Sequence, residues 1–442
     1  MNKKSINDVC KLAFPAASEM AVYMLVAFFD ILMVGKYGGN IGVSTAGLSY
    51  EIMYAFSGIF IDAGVAVGIT SLVARKFGAN NFKSAEEFAS LGFVFGLLVA
   101  LTISFLAFNF CSIILEIAGA KGEVLQLSVQ FMKILSFGVF FKMISSSLNS
   151  ILRGYGDTKT PLIVAIIISS INILLDFVLI FGNFNKPELG VKGAAVAATI
   201  AQILGFLFLS YYIVRKSKIK IRLKYIIFPN LLKLKQLLRL CFPSILEDAA
   251  FSISRLISLF IIMHTGNTAF AANQIATTIE TISIMPGAGF STAATTLVGI
   301  NVGKNKYKSA RQSAYTCAFI GTSIMLFCSV LFLVSPNFLI NLFISEGEIE
   351  VKRLGMLCLM VAAIEQPFIG ISLIFDGSLK GYGNTKTPFY ISLFSSWVIR
   401  LPLMFYFIYF RRAPVFYVWF ITAFQWTFDA LMMFLSFERN KY

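Results

Sequence analysis

Three polar side chains stand in stretches otherwise too apolar to hold them. Asp30 interrupts Phe28-Phe29-Asp30-Ile31-Leu32, and Asn172 and Asp176 lie four residues apart in Asn172-Ile173-Leu174-Leu175-Asp176. That spacing puts both on one helix face. Two carboxyls and an amide converging away from water suit a sodium ion or a shared proton, since like charges in a low dielectric need a cation or proton between them. A fixed hydrogen-bonded cluster is the competing use. Each ionised group at bilayer depth costs at least about 2.5–3.5 kcal/mol on insertion scales, so each needs a reason.

Other charges fall in similar surroundings. Glu19 precedes Asp30 by three helical turns on nearly the same face, where it either lines a route to Asp30 or reaches the interface. Asp62 and Lys142 are placed to pair. Further along, the cations Arg255 and Arg400 have Glu280 and Glu365 at depths that would balance them, either as closed pairs or as contacts to a substrate. Asp376, four residues before Lys380, is expected near the surface and solvated. The single histidine, His264, has no neighbouring ligands for zinc, and the six cysteines show no CxxC spacing, so they read as apolar packing residues. No GxSxG, phosphate-binding loop or HExxH occurs, so neither catalysis nor ATP hydrolysis has a visible engine, and no cofactor is expected.

The elements that must position these groups follow from composition. Apolar residues make up 57% of the 442 and charged residues 13%, against roughly a quarter charged in soluble domains. A hydrocarbon core about 30 Å thick takes about 20 residues per helix, and the sequence predicts an all-α polytopic membrane protein with twelve spans: 13–35, 46–74, 88–110, 128–152, 161–184, 191–214, 240–264, 270–300, 311–336, 351–379, 388–410 and 414–437. Most of the 37 Lys/Arg fall on the side that holds both termini, while the opposite loops hold few, such as Lys36, Lys121 and Lys186. The positive-inside rule then puts both termini in the cytoplasm, at the plasma membrane, and the net charge of +15 needs no nucleic acid to explain it. By depth, Asp30 lies about 25 Å and Asp176 about 22 Å from their cytoplasmic helix ends.

The chain also repeats itself. Arg153-Gly154-Tyr155-Gly156-Asp157-Thr158-Lys159-Thr160-Pro161 returns as Lys380-Gly381-Tyr382-Gly383-Asn384-Thr385-Lys386-Thr387-Pro388, 227 residues on. It reads as a tight turn whose first glycine is free to take φ > 0. Residues 70–85 match 295–310 at an offset of 225, and Glu19 and Glu247 each stand four residues past a proline, Pro15 and Pro243. Two six-helix lobes with the same orientation are implied, a parallel repeat about the membrane normal. The expected division is an N-terminal lobe 1–214, a basic linker 215–239 with nine Lys/Arg and no acid, lying against anionic lipid headgroups or acting as a topogenic stop, and a C-terminal lobe 240–442.

In this order these motifs resemble the multidrug and toxic compound extrusion family, MATE. The resemblance rests on Asp30-x-x-Met33-Val34-Gly35, Val73-Ala74-Arg75-x-x-Gly78-Ala79, the duplicated turn, Asn172-x-x-x-Asp176 and Gly193-Ala194-Ala195. It implies a V-shaped two-lobe cavity, alternating access, and export of amphipathic, often cationic compounds against entry of Na⁺ or H⁺. It also implies that Asp30, Asn172 and Asp176 hold the cation. The helix-6 hydroxyl of the family's pattern falls on Ala198 here, one position before Thr199, which is carried as a fourth candidate. Some sodium-coupled members use acids deep in the C-terminal lobe, for which Glu247 and Glu365 are the candidates. The expected partners are a small amphipathic molecule and membrane lipid, and the chain is expected to act as a monomer. One rival is a lipid-linked saccharide flippase of the same superfamily, kept open by Lys142, Arg255 and Arg400; an integral-membrane enzyme, the other rival, lacks its polar cluster.

Overall fold

The computed structural model describes residues 3–182, 188–343 and 348–439. Lys186 falls outside them. The described residues are helical almost throughout. Among the described residues nine helical stretches are long and apolar enough to cross a membrane, and the first of them, Ser5–Gly78, contains two crossings. Its break is at Gly39 (φ 55, ψ −146), inside α1 (Lys3–Ser57). Only glycine takes that conformation readily, so one residue reverses the chain where the sequence suggested a loop of about ten. The second crossing continues through a wide π segment, Gly58–Val65, into α2 (Ala66–Gly78).

After it come α3 (Phe82–Ile117), α4 (Gly122–Gly154), α5 (Lys159–Phe181) and α6 (Val191–Arg215). A short α7 (Leu223–Ile227) leads to α8 (Leu231–Met263) and α9 (Asn267–Gly303), which complete the crossings together with α10 (Tyr307–Val334), α12 (Ile349–Tyr382), the segment Lys386–Phe410 and α15 (Phe416–Arg439). Between them lies the one-turn α11 (Pro336–Asn341). The penultimate crossing is α13 (Lys386–Phe394), a π segment Ser395–Arg400, α14 (Leu401–Met404) and a second π segment Phe405–Phe410. Twelve crossings result, as the apolar pattern predicts.

The repeat is visible in backbone detail. Asn80 (φ 57) and Asn305 (φ 58) make the same left-handed turn between matching helices. In the duplicated turn the positive φ belongs to the second glycine of each copy, Gly156 (φ 91) and Gly383 (φ 86), and not to the first. Gly154 and Gly381 stay helical because their neighbours press on them. A Cβ on Gly154 would lie 2.8 Å from Val73 Cβ, and one on Gly381 2.7 Å from the Thr295 carbonyl oxygen.

The chain divides into two compact units: Ser18–Cys241, and Met1–Ala17 with Phe242–Tyr442. These boundaries differ from the expected lobes. Val9 and Ala13 are buried in a cluster with Phe290, Ala293 and Ile374, which ties the first seventeen residues to the second unit. Ile219, Leu237 and Cys241 are buried with Leu72 and Phe88, so the basic segment packs on the first. It is pinned there by Arg222 to Glu86 (3.0 Å) and Lys233 to Glu87 (2.5 Å). In α6 small residues face inward and large apolar ones outward. Helix α6 buries Gly193, Ala194, Ala197, Ala198, Ala201 and Gly205 and exposes Leu204, Leu207 and Phe208. That is how helices pack in lipid, where the tails are as apolar as leucine and close approach supplies the attraction.

Candidate cation site and the buried charge clusters

In the unit Ser18–Cys241, Asp30 of α1 and Asp176 of α5 are both buried, at 4% and 0% exposure. Their carboxyl groups lie within hydrogen-bonding reach of each other. Asn172 Nδ2 donates to Asp176 Oδ2 at 2.9 Å, and Tyr50 Oη reaches Asp30 Oδ2 at 3.5 Å. The remaining oxygen of each carboxyl, Oδ1, is buried without a partner. Two carboxyls in contact cannot both be ionised unless something positive joins them, and the orphaned oxygens are acceptors waiting for it. The i, i+4 spacing of Asn172 and Asp176 makes their bond a property of the helix alone, whereas Asp30 is brought in from a distant helix.

Thr199 is not part of this group. Its hydroxyl donates to the Ala195 carbonyl (2.7 Å) one turn back and reaches the Ile134 carbonyl of α4 (3.2 Å). Serine and threonine hydroxyls in helices commonly bond back in this way. Tyr50 is the member the sequence did not announce, because a tyrosine in an apolar helix has no signature until its partner is known.

Glu19, 2% exposed, forms an ion pair with Arg153 at 2.7 Å, joining the start of the first crossing to the first copy of the duplicated turn. In the other unit Glu247 pairs with Lys380 of the second copy at 3.1 Å. The two repeats therefore make the same contact. Lys380 also meets Asp376 at 2.8 Å, so that carboxylate is held and not free in solvent as expected. Each turn closes with a side-chain cap: Asp157 Oδ1 accepts from Thr160 N (3.0 Å), and Asn384 Oδ1 from Thr387 N (3.1 Å). Burial pushes the phenol of Tyr155, beside the first cap, well above its ordinary range, so it stays protonated.

The second unit also contains an acid pair. Glu280 of α9 and Glu365 of α12 lie within hydrogen-bonding reach of each other, and Glu365 is 1% exposed with neither oxygen satisfied by a donor. Arg400, in the π segment, and Arg255, in α8, are close enough to act on Glu280 electrostatically. The expected closed pairs do not form: among the described residues neither arginine makes an ion pair with these acids, and Arg400 Nε is buried without a partner. Asp62 and Lys142 do not pair either. One acid escaped the sequence reading, Asp429 of α15, 3% exposed, with its Oδ1 buried without a partner. A lone acid inside the apolar span 414–437 was the available signal. No group of three or more His, Cys, Asp or Glu gathers among the described residues.

Acids buried in pairs at membrane depth, on helices repeated in parallel, define the protein as a membrane transporter of the repeat-built kind. The MatE family model matches residues 15–178 and 243–406, one match in each repeat, and the chain belongs to that family. It is 30% identical over 399 residues to the probable multidrug resistance protein NorM of Thermotoga maritima, covering 90% of this chain and 84% of that protein. It is 27% identical over 350 residues to the multidrug resistance protein MdtK of Proteus mirabilis, covering 78% and 75%. Among solved structures, the outward-facing conformation of a multidrug resistance MATE family transporter aligns with a TM-score of 0.90 at 22% identity, over 98% of this chain and 95% of that one. A MOP superfamily transporter from Pyrococcus furiosus aligns equally well, at 0.90 and 23%, over 98% and 95%.

Proposed function

We propose that this chain is a cation-coupled antiporter that exports amphipathic, cationic drugs or toxic metabolites by alternating access, driven by entry of Na⁺ or H⁺. The observation that carries the reading is the contact between the Asp30 and Asp176 carboxyls, which asks for a positive species. Either a proton or a sodium ion supplies it, with Asn172 holding Asp176 in place. Binding of the ion biases the protein toward one conformation by as much as its affinity differs between the two. The names of the relatives from Thermotoga maritima and Proteus mirabilis support multidrug export as the outcome. In this reading the protein works as a monomer in the cytoplasmic membrane with both termini inside, and the two repeats are its moving bodies.

The test uses cells loaded with ethidium, with sodium and proton gradients set separately. Asp30→Asn and Asp176→Asn should each abolish gradient-driven efflux while membrane expression stays normal. Full efflux by either variant at normal expression sinks the site assignment.

A further inference from the structure

Asp62 and Lys142, opposite charges on neighbouring helices of Ser18–Cys241, are kept apart. The Lys142 ammonium lies 3.8 Å from the centroid of the Tyr54 ring, on the face where an aromatic π-system attracts cations. Asp62 instead accepts a 2.5 Å hydrogen bond from Ser146 Oγ, one turn along α4 from Lys142. Among the described residues no cation pairs with Asp62, and both Asp62 and Tyr54 are exposed. A charged carboxylate midway along an apolar crossing cannot face hydrocarbon without a large penalty, so this face fronts a space that water and solutes reach.

The backbone is arranged to bring these groups onto one face. In a regular α-helix, a residue eight positions on lies about 80° round from its starting point. The π segment Gly58–Val65 adds roughly one residue to a turn, which returns Asp62 to about the position of i+7, on the side of Tyr54. Between the two sits Gly58, and a Cβ added there would meet nothing within 4 Å. The face therefore carries an aromatic ring, an open gap and a carboxylate that has Lys142 and Arg153 in electrostatic range but neither in contact, with the Lys142 ammonium lying on the ring.

We propose that Tyr54, Asp62 and Lys142 form a binding subsite for the charged head of an aromatic organic cation, with Lys142 occupying the Tyr54 face until the substrate displaces it. This rests on the reading of the chain as an exporter of amphipathic cations. The incoming cation takes the ring face and finds its counter-charge in Asp62, while like-charge repulsion moves the Lys142 ammonium away. A neutral or anionic molecule cannot make that exchange, so the tethered lysine is a selectivity element. Tyr54 stacks on Tyr50 at 5.4 Å and 25°, and Tyr50 reaches Asp30 at 3.5 Å, so two rings join the subsite to the carboxyl pair.

The test measures ethidium binding to the purified full-length protein in detergent by fluorescence polarisation, with thermal unfolding as the check on folding. Lys142→Gln should tighten binding several-fold, because the ring is uncovered. Lys142→Arg, which keeps a cation on the ring, should bind no tighter than wild type. Asp62→Asn and Tyr54→Leu should each weaken binding by about tenfold, and Asp62→Glu should recover most of the loss. Wild-type binding with Lys142→Gln unchanged or weaker, or with Asp62→Asn unchanged, overturns the subsite and leaves the export reading standing. Wild-type protein that binds ethidium and tetraphenylphosphonium no better than empty micelles removes the cationic substrate class and the subsite together.

Discussion

In Ser18–Cys241, Glu19 meets one cation, Arg153; at the matching place in the other unit, Glu247 meets Lys380, which also holds Asp376. The deep acid pairs diverge in the opposite sense. Asp30 and Asp176 have an amide and a phenol for neighbours, while Glu280 and Glu365 have Arg400 and Arg255 within electrostatic range. One scaffold thus carries two charge balances. In the proposed reading the pair without a basic neighbour takes its positive charge from a mobile ion, whereas the pair with two arginines in electrostatic range depends on one less. The two units share the contacts that shape each of them and differ at the deep positions.

The largest expected effect tests that asymmetry directly. In proteoliposomes with an imposed sodium or proton gradient, Asp176→Asn should remove ion-driven export, whereas Glu365→Gln should leave the ion dependence in place and change only the rate. Equal loss in both variants would show that the two acid pairs do one job, and the contrast between the units would fall.

Next come the ion pairs at the duplicated turns. Arg153→Met leaves Glu19 buried at 2% exposure with no cation, and breaking a buried pair in this way costs about 3–5 kcal/mol. Lys380→Met strands two carboxylates, Glu247 and Asp376, so it should destabilise at least as much. Thermal unfolding in detergent checks the order. The double variant Glu19→Leu with Arg153→Met should recover most of the stability, because no charge is left unpaired.

Most of the scaffold was legible in the sequence. Twelve apolar runs fix the crossings, since lipid demands that each backbone bond be satisfied within its helix, and the two offset matches fix the repeat. Asn172 and Asp176 were legible for a local reason, their shared helix turn. The rest was decided by contacts between helices, which no local pattern encodes. Tyr50 joins Asp30 only once Gly39 has reversed the chain. Lys142 chose a ring over Asp62 because of where α4 lies, and the π segment that sets Asp62 has no sequence signal comparable to the Pro402 that follows Arg400. The two glycines of each turn show the same limit. Both are permissive, and only the packing of Val73 and Thr295 tells which must stay helical.

That packing gives a third, smaller contrast. Gly154→Ala would press on a Val73 side chain and Gly381→Ala on a backbone carbonyl, which cannot move aside as easily. Overpacking of this kind costs about 1–3 kcal/mol, and Gly381→Ala should fall nearer the upper end. Gly156→Ala and Gly383→Ala face instead the cost of a left-handed conformation, about 1–2 kcal/mol, and should match each other because their φ values do. Unfolding midpoints of the four variants separate the two causes.

The smallest effect concerns the caps. Asp157 accepts from Thr160 N at 3.0 Å, from Thr160 Oγ1 at 2.8 Å and from Tyr212 Oη at 3.2 Å. Among the described residues Asn384 Oδ1 accepts from Thr387 N alone, and its amide donates to Thr387 Oγ1 at 2.9 Å. Losing a cap costs about 0.5–2 kcal/mol, so Asp157→Ala should lie toward the upper end and Asn384→Ala toward the lower. A carboxylate at a helix N-terminus gains about 0.3–1 kcal/mol from the helix dipole. Asn384→Asp should therefore hold or slightly raise the unfolding temperature, provided the lost amide bond to Thr387 is replaced by its hydroxyl donating back, as Thr160 does to Asp157. If Asn384→Asp destabilises while Asp157→Asn does not, the two turns differ in electrostatic surroundings as well as in sequence, and the likeness of the two repeats ends at their backbone.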